Sequence, residues 1–465
     1  MRDRKGDVIN APRTSVVLFT RDLRVHDNPA LHHAAQEGQV VPLFVLDLKI
    51  LKGSYNRPNR AKFLAESLAD LAAALEKRGA GLVVRRGEVA AEVAELVQTV
   101  KASAVHMAGD ASGFSHRRED ALREALDELD CELHVHDDSL FVVPPGQITA
   151  VGKTHMSVFS PYHRKWEKEP RRTPLSPPRK LALPAGIETG KVPTANEISS
   201  GETAPHMSAG GETAGRKLFK TWLEQRAEGY ADDHDDMAGD RTSRISPYLH
   251  FGCLSPLEVV TKAWDIAPAF TRQMAWRDFH AQVLAANPKS TQVDLRPRND
   301  RWRRGKDAER EFKAWKEGRT GWPLVDACMR QLVDEGWMHN RGRLVVGHFL
   351  CKTLYLDWRW GAQFFVDHLI DGDTANNTMN WQWVAGTGTD SRFNRILSVS
   401  SQAERYDPNG DFVRRYVPEL SDVPGAKVHA PWKLPTDVRK QLNYPEPIVD
   451  VREGNERFLA ARGKR

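Results

Sequence analysis

The sequence predicts an N-terminal α/β domain with a parallel, five-stranded, Rossmann-like sheet, followed by a large all-α C-terminal domain. Two patterns predict this fold class. Short β-rich runs alternate with helical patterns from residue 15 to about residue 140, and helical spacing dominates after Lys217. Alternating strands and helices are typical of a parallel sheet that is covered on both faces. The 465 residues suffice for two or three domains.

The α/β domain is predicted over residues 14–140. Its strands are predicted at Ser15–Phe19, Val40–Asp47, Gly81–Gly87, Ala104–Gly109 and Glu132–Asp137. A helix is predicted over Asn59–Arg78 because apolar residues recur there at three- and four-residue spacing, at Phe63, Leu64, Leu68, Leu71 and Leu75. No GxGxxG motif follows the first strand, which disfavours a dinucleotide-binding site.

Residues 141–215 are predicted to connect the two domains. Prolines cluster between Pro170 and Pro184, and the stretch from Pro184 to Gly215 has no Phe, Tyr or Trp and is rich in Gly, Ser, Thr and Ala. Such a composition is typical of a partly mobile linker. The helical domain is predicted over residues 216–465, where apolar residues again recur with helical spacing from Leu218 onward.

Composition excludes several classes of protein. No apolar run approaches 18 residues, and the charged first residues lack the apolar core of a signal peptide, so we expect a cytoplasmic protein without a membrane span. The four cysteines form no CxxC pair, so we expect neither a disulfide framework nor a zinc ribbon, and we assign no metal ligands. The net charge is only +5, from 67 basic and 62 acidic side chains. Arg296–Lys306 holds six basic residues and fits either a phosphate backbone or a solvated loop.

Four segments of the helical part carry dense polar and aromatic chemistry. The first joins Tyr230 to Arg241–Pro247, where hydroxyls beside arginines suit a diphosphate; a helix N-cap at Ser246 is the alternative. The others are Trp276–Phe279, residues 318–343 and Asp371–Trp383. Amides, carboxylates and indoles need partners when buried, so each segment alone also fits a satisfied core network.

Taken together in this order, these segments resemble the photolyase/cryptochrome family, particularly its class I cyclobutane pyrimidine dimer photolyases. The resemblance extends to Arg21–Arg24 and Asp27–Pro29 near the N-terminus, and it covers nearly the whole chain. It implies an N-terminal α/β domain, a long connection and a helical domain that binds a bent FAD. It also implies a light-driven carbon–carbon lyase that repairs DNA. A cryptochrome-type blue-light sensor is the alternative, and a (6-4) photolyase is a weaker one.

The resemblance implies roles for individual residues around the flavin. Asn377 would face flavin N5, while Asp371 and Asp373 would contact the ribityl chain and the ring system. The implied FAD-binding residues are Tyr230, Thr242, Ser243, Arg244, Ile245, Ser246, Gln273, Arg277, Asn340, Arg343, Asp371, Asp373 and Asn377. Trp381, Trp358 and an outer indole would pass electrons from the surface region to the flavin. Trp302 is the choice for the outer position, with Trp315 and Trp360 as competitors.

The implied substrate is a pyrimidine dimer flipped out of double-stranded DNA, which one added electron makes easy to split. Trp276 and Trp383 would flank the lesion, Asn340 and Gln273 would hydrogen-bond it, and Arg341 and Arg395 would contact phosphates. Gln273 stands where the family's dimer photolyases usually have Glu. Leu344 replaces a common Met, and Leu397–Val399 replaces an Asn-Pro pair. We expect these departures to weaken or alter repair. The His339-Asn340 pair favours the cyclobutane substrate over (6-4) photoproducts.

The resemblance also implies an antenna chromophore in the α/β domain, either a folate (methenyltetrahydrofolate) or an 8-hydroxy-5-deazaflavin. Arg21, Phe44, Asp47 and Asp110 lie at matching positions, although ordinary residues at strand ends are the alternative. We expect a monomer.

Overall fold

A computed structural model of the chain describes residues 13–463. The first twelve residues, which led us to expect no signal peptide, lie outside the described residues. The described chain divides into two compact units. The first unit comprises 13–201, Ala209–Leu223 and Arg244–Ala286, and the second comprises Glu202–Ser208, Glu224–Ser243 and 287–463. These units are grouped by packing rather than by sequence composition, so the domain bounds given above stay a prediction.

The first unit contains a five-stranded sheet with strand order β3-β2-β1-β4-β5. Every pair of neighbouring strands is parallel, and the register places Leu18 opposite both Leu43 and Met107. The strands are β1 (Arg13–Phe19), β2 (Gly38–Asp47), β3 (Val83–Gly87), β4 (Ala104–Ala108) and β5 (Glu132–His136). The central strands are buried on both faces, which explains their nearly continuous apolar runs. The predicted five strands and the predicted fold class are confirmed.

Helices account for most of the remaining regular structure. The first ones are α1 (Pro29–Glu37), α2 (Leu48–Leu51), α3 (Pro58–Glu76), α4 (Val89–Val100), α5 (Gly113–Asp127), α6 (Phe159–Trp166), α7 (Ala195–Ile198), α8 (Glu212–Gln225), α9 (Tyr230–Asp233), α10 (Ser246–His250), α11 (Pro256–Ala263) and α12 (Pro268–Ala286). The others are α13 (Lys306–Lys316), α14 (Pro323–Glu335), α15 (Asn340–His348), α16 (Trp358–His368), α17 (Thr374–Ala385), α18 (Val399–Tyr406), α19 (Asp411–Tyr416), α20 (Thr436–Gln441) and α21 (Val451–Ala461). A π-helical turn, Phe349–Thr353, continues α15.

The segment predicted as a linker is tied to the sheet of the first unit by backbone hydrogen bonds. Val40 N donates to Ala182 O over 2.8 Å, and Val84 N donates to Thr189 O over 2.9 Å. Helix α6 lies in the same segment and buries Tyr162 and Trp166. The predicted linker is therefore held against the sheet by hydrogen bonds at Ala182 and Thr189, despite its low aromatic content after Pro184.

The second unit is helical around an apolar core, and the part of the chain described after His136 contains no strand. Its core includes the large buried side chains of Trp315, Phe349, Trp358 and Phe412. All four cysteines are free and buried. Across residues 13–463, we find no helix with both the length and the apolar character needed to span a bilayer.

Candidate functional site

An ion pair between Arg343 and Asp371 anchors the predicted flavin-binding region of the second unit. Arg343 Nη2 donates to both carboxylate oxygens of Asp371, at 3.1 and 2.8 Å. The Asp371 side chain is only 4% exposed and that of Arg343 is 25% exposed. Arg343 Nε also donates to Met338 O over 2.9 Å, so this side chain links the segment before α15, through Met338, to the segment before α17, through Asp371. A nearly buried carboxylate held in this way keeps the guanidinium in one orientation.

Asp373 begins α17 as its N-cap residue. Its carboxylate accepts hydrogen bonds from the backbone N and the side-chain Nδ2 of Asn376, both at 2.9 Å. Asn377 follows on the same turn, and its Nδ2 donates to Ala362 O in α16 over 3.1 Å. The amide of Asn377 is therefore oriented by a neighbouring helix, and its Oδ1 is the group left to meet a ligand donor.

Thr242 supplies a test of whether these residues fit FAD. Its Oγ1 is buried and has no hydrogen-bond partner within the described protein. A buried hydroxyl without a partner is costly unless a ligand or water satisfies it. Tyr230 and Ser243 of the same unit are also buried. A hydroxyl that awaits an acceptor or donor at this place fits the predicted contact with the FAD phosphates or ribityl chain.

The residues that follow Ser243 in the predicted FAD-binding segment, Arg244, Ile245 and Ser246, belong to the first unit. Arg244 adopts the left-handed backbone region with a φ of 51°, an uncommon conformation for an arginine. Helix α10 begins at Ser246, so Ile245 rather than Ser246 occupies the cap position. The alternative interpretation of Ser246 as an N-cap is thus displaced by one residue.

Helix α12 in the first unit presents the Gln273, Trp276 and Arg277 side chains predicted above. Trp276 stacks on Phe159 with ring centroids 3.6 Å apart and an interplanar angle of 8°. Arg277 Nη1 donates to Leu140 O over 2.6 Å. Gln273 is exposed. Phe159 was not among the predicted site residues, because nothing in its local sequence indicates what lies above it.

Asp278, next to Arg277, is a buried carboxylate that accepts several hydrogen bonds and was not among the predicted site residues. Its Oδ2 accepts hydrogen bonds from Val142 N at 3.1 Å, Val143 N at 3.0 Å and Trp166 Nε1 at 2.9 Å. Burial raises its pKa to about 6, although the Arg277 charge and the three donors act in the opposite direction. Asp278 therefore fixes the position of α12, and with it that of Trp276, within the first unit.

Arg341 already has partners within the second unit. Its Nε and Nη2 donate to Asp235 at 3.1 and 2.5 Å, and its guanidinium lies 4.2 Å from the centroid of the Tyr406 ring. A contact with a DNA phosphate would compete with this bidentate pair. Asn340 and Arg395 are exposed, as their predicted roles require, and Trp383 is partly buried.

Two buried basic residues that the sequence analysis did not single out lie beside Trp383 and Arg395. His348 packs edge-to-face against Trp383 with centroids 6.1 Å apart, and burial lowers its pKa well below the usual value. Lys352 Nζ donates to the backbone oxygens of Phe393 at 3.2 Å and Arg395 at 2.5 Å. Burial lowers the pKa of Lys352 to about 8. A lysine inside the apolar run FLCKTLYL was the available signal for this anchor of the Arg395 loop.

Two of the residues that depart from the family pattern have packing or capping contacts in the second unit. Leu344 packs against the core of the second unit. Ser398 is the N-cap of α18, where its Oγ accepts a hydrogen bond from the backbone N–H of Ser401 over 3.3 Å.

The basic stretch Arg296–Lys306 has partners within the second unit. Arg303 pairs with Glu311 at 2.6 and 3.0 Å, and the Arg298 guanidinium lies 3.8 Å above the Phe393 ring. At least these two cations are therefore engaged within the protein.

The tryptophans of the second unit form connected groups. Trp381 contacts Trp315 edge-to-face with ring centroids 6.2 Å apart, and Gly361 lets the Trp381 ring approach the backbone of α16 closely. Trp358 is buried, and its Nε1 donates to Asp294 over 2.9 Å. Trp302 packs against Tyr355 at 5.1 Å. The electron-transfer chain through Trp381, Trp358 and Trp302 stays a prediction. Of the two competitors for its outer position, Trp315 is the one whose ring contacts Trp381 directly.

Three of the predicted antenna residues of the first unit lie at or just after the carboxyl ends of β1, β2 and β4, namely Arg21, Asp47 and Asp110. Arg21 pairs with Asp110 at 3.2 Å, and Asp47 caps α2. The strand order changes direction at β1, and ligands of open parallel sheets bind at such switch points. Arg118 carries a buried Nε without a hydrogen-bond partner in the described chain, and its charge interacts with Asp110 and Asp47. Phe44 is buried within β2.

The comparisons with known proteins identify the family. Residues 15–180 match the DNA photolyase family, and residues 270–464 match the FAD binding domain of DNA photolyase. A deoxyribodipyrimidine photo-lyase of Streptomyces griseus is 50% identical over 97% of this chain and 99% of that relative. The chain belongs to the DNA photolyase family.

Solved structures agree with this membership. A class III photolyase from Agrobacterium tumefaciens superimposes with a TM-score of 0.89 and 31% identity over 98% of both chains. A photolyase from Sulfolobus tokodaii with two FAD molecules superimposes with a TM-score of 0.85 and 30% identity, over 97% of this chain and 99% of that chain. Cryptochromes are also among the matching relatives. The predicted family and enzyme class are confirmed, and the FAD-binding domain supports FAD as the cofactor.

Proposed function

We propose that this photolyase-family chain splits cyclobutane pyrimidine dimers in double-stranded DNA, with light as the energy source. The observation that carries the proposal is the 50% identity, over nearly the full length of both chains, to a deoxyribodipyrimidine photo-lyase. Reduced FAD, when bound, would supply the electron that opens the dimer after absorbing blue light and would receive it back. The buried Thr242 hydroxyl without a protein partner and the Arg343–Asp371 pair support FAD binding in the second unit.

The protein side chains would bind and orient both the cofactor and the lesion. The Arg343–Asp371 pair fixes a cation at the start of α15, and Asn377 presents an amide oxygen whose position is set by its bond to Ala362 O. Trp276, held flat against Phe159, would stack on one base of the flipped dimer. Stacking of a base on an aromatic ring contributes about 1–3 kcal/mol. Gln273, Asn340, Trp383 and Arg395 keep their predicted roles.

We also propose that the first unit binds an antenna chromophore at the switch point of its sheet. The buried Arg118 Nε and the Arg21–Asp110 pair support a ligand that has both acceptor and donor groups. The photolyase from Sulfolobus tokodaii is described with two FAD molecules, which imply a novel light-harvesting cofactor, so a second chromophore has a precedent in a similar structure. Absorption at about 440 nm would indicate a deazaflavin, and absorption at about 380 nm would indicate a folate.

The test is repair of a defined thymine-dimer duplex under blue light without oxygen, using the full chain with chemically reduced flavin. We expect Trp276→Ala to weaken binding of the dimer duplex about 5- to 150-fold. The matched control is Trp264→Ala, which removes another partly buried indole of the first unit that stacks under Arg171. It should leave dimer affinity unchanged.

Three outcomes separate the alternatives. Loss of dimers in the light supports the proposal. Repair of (6-4) photoproducts alone would support the alternative suggested by Gln273. Flavin photoreduction without repair of either lesion would support a blue-light sensor.

A further inference from the structure

A cluster of imidazoles and one carboxylate lies in the first unit, away from the residues discussed so far. His106 in β4 and His134 in β5 face each other directly in the strand register, and Glu37 ends the neighbouring helix α1. The ligand atoms of Glu37, His106 and His134 all lie within 4.8 Å of one another. The members of this cluster are far apart in the chain, so no local sequence pattern indicates it.

We propose that Glu37, His106 and His134 form a binding site for a divalent first-row transition metal ion, with Zn²⁺ as the representative. Two imidazole nitrogens and one carboxylate oxygen are a common ligand set for such ions, with water in the fourth position. Soft-metal chemistry is excluded at this cluster because no thiolate belongs to it.

The distances are close to those that a tetrahedral site needs. Bond lengths of about 2.0–2.2 Å place neighbouring ligand atoms about 3.3 Å apart. His106 Nε2 and Glu37 Oε2 are already 3.2 Å apart. Because the three ligand atoms lie within 4.8 Å of one another, the His134 nitrogen must move by up to about 1.5 Å to join them. Its side chain is 42% exposed on an edge strand and now pairs with the still more exposed Glu132, a contact that contributes little to stability.

A second layer of polar groups orients the two inner ligands. The buried hydroxyl of Ser15 donates to Glu37 Oε2 over 2.7 Å. His106 Nδ1 lies 3.1 Å from His136 Nε2, so the ring nitrogen that would not bind the ion has a partner. His33 stacks on His136 at an interplanar angle of 5°. Metal-binding histidines and carboxylates are typically fixed by such outer partners.

The site is open enough for an ion and water to enter. The Glu37 side chain is 30% exposed, whereas that of His106 is buried. A bound ion would link the end of α1 to β4 and to the edge strand β5. Its role would be structural, and it needs neither FAD nor DNA.

The test is equilibrium dialysis of the full, metal-depleted chain against ZnCl₂ in the dark, followed by elemental analysis. We expect about one Zn²⁺ per chain. His134→Gln should weaken binding at least about 100-fold, and Ser15→Ala about 10-fold. His134 is exposed on an edge strand, so its variant tests the site even if His106→Gln fails to fold.

The matched control is His206→Gln, which alters another histidine that pairs with a carboxylate, Asp334, at 2.8 Å. This variant should bind Zn²⁺ like the unchanged protein. Equal loss in His206→Gln and His134→Gln, or no stoichiometric binding in the unchanged chain, would overturn the proposal. Flavin content is measured in parallel, and it should be the same in all variants.

Discussion

Removal of the Asp371 charge should disrupt the flavin region in a way that depends on Arg343. The carboxylate is 4% exposed and accepts two hydrogen bonds from Arg343, at 3.1 and 2.8 Å. Loss of one partner of a buried ion pair costs about 3–5 kcal/mol. Because Arg343 is 25% exposed and keeps its bond to Met338 O, we expect Asp371→Asn to lower the free energy of unfolding by about 2–3 kcal/mol.

A double-mutant cycle in urea measures this coupling. We expect Arg343→Gln and Asp371→Asn together to cost at least about 1 kcal/mol less than the sum of the two single changes. FAD affinity, measured by dialysis, should fall in every variant of the cycle.

The matched control for the cycle is Glu419→Gln. It breaks another Arg–carboxylate pair of the second unit, Arg330–Glu419, whose oxygens lie 2.6 and 2.9 Å from the guanidinium. This change should lower stability and leave FAD affinity unchanged. Strict additivity in the cycle, or an equal loss of FAD in Glu419→Gln, would refute the assignment of the Arg343–Asp371 pair to the flavin region.

Four further changes test other parts of the structure. Asp278→Asn should alter the pH dependence of unfolding, because burial raises the pKa of this carboxyl to about 6. In the unchanged protein the stabilising contribution of Asp278 is complete below about pH 4 and falls by about 3 kcal/mol as the pH rises to 7. The variant should not show this loss in urea titrations. Trp381→Phe should slow photoreduction of the flavin, followed by absorption, while repair by chemically reduced enzyme persists. Gly361→Ala places a Cβ 2.2 Å from the Trp381 ring, so the unfolding free energy should fall by about 1–3 kcal/mol. Trp315→Phe should leave the photoreduction rate unchanged if the outer indole is Trp302; slower photoreduction would show that Trp315, whose ring contacts Trp381, carries electrons.

The sheet could be predicted closely because its signal is local. Buried parallel strands read as short apolar runs, so the runs beginning at Ser15 and Val40 gave strand positions within two residues of those observed. The helical character of the second unit followed from spacing in the same way. The irregular segment around Ala182 was harder, since its backbone bonds to β2 and β3 come from partners about 100 or more residues away.

Side-chain partners distant in the sequence could not be predicted. Arg341 lies in a motif that the family resemblance links to DNA phosphates, yet Asp235, 106 residues earlier, holds its guanidinium. The same holds for Phe159, which stacks on Trp276, and for the three hydrogen-bond donors to Asp278, since all of these partners are distant in the sequence. Sequence motifs predict which residues carry chemistry, whereas tertiary packing determines which of them already have partners within the protein.

The most direct test of the central claim compares light with darkness for one enzyme preparation. A thymine-dimer duplex is incubated without oxygen with the chemically reduced chain, and restored thymines are counted by chromatography. We expect several turnovers per enzyme under blue light and none in the dark. Equal amounts in both, or no restoration by a preparation that holds reduced FAD, would contradict the central claim.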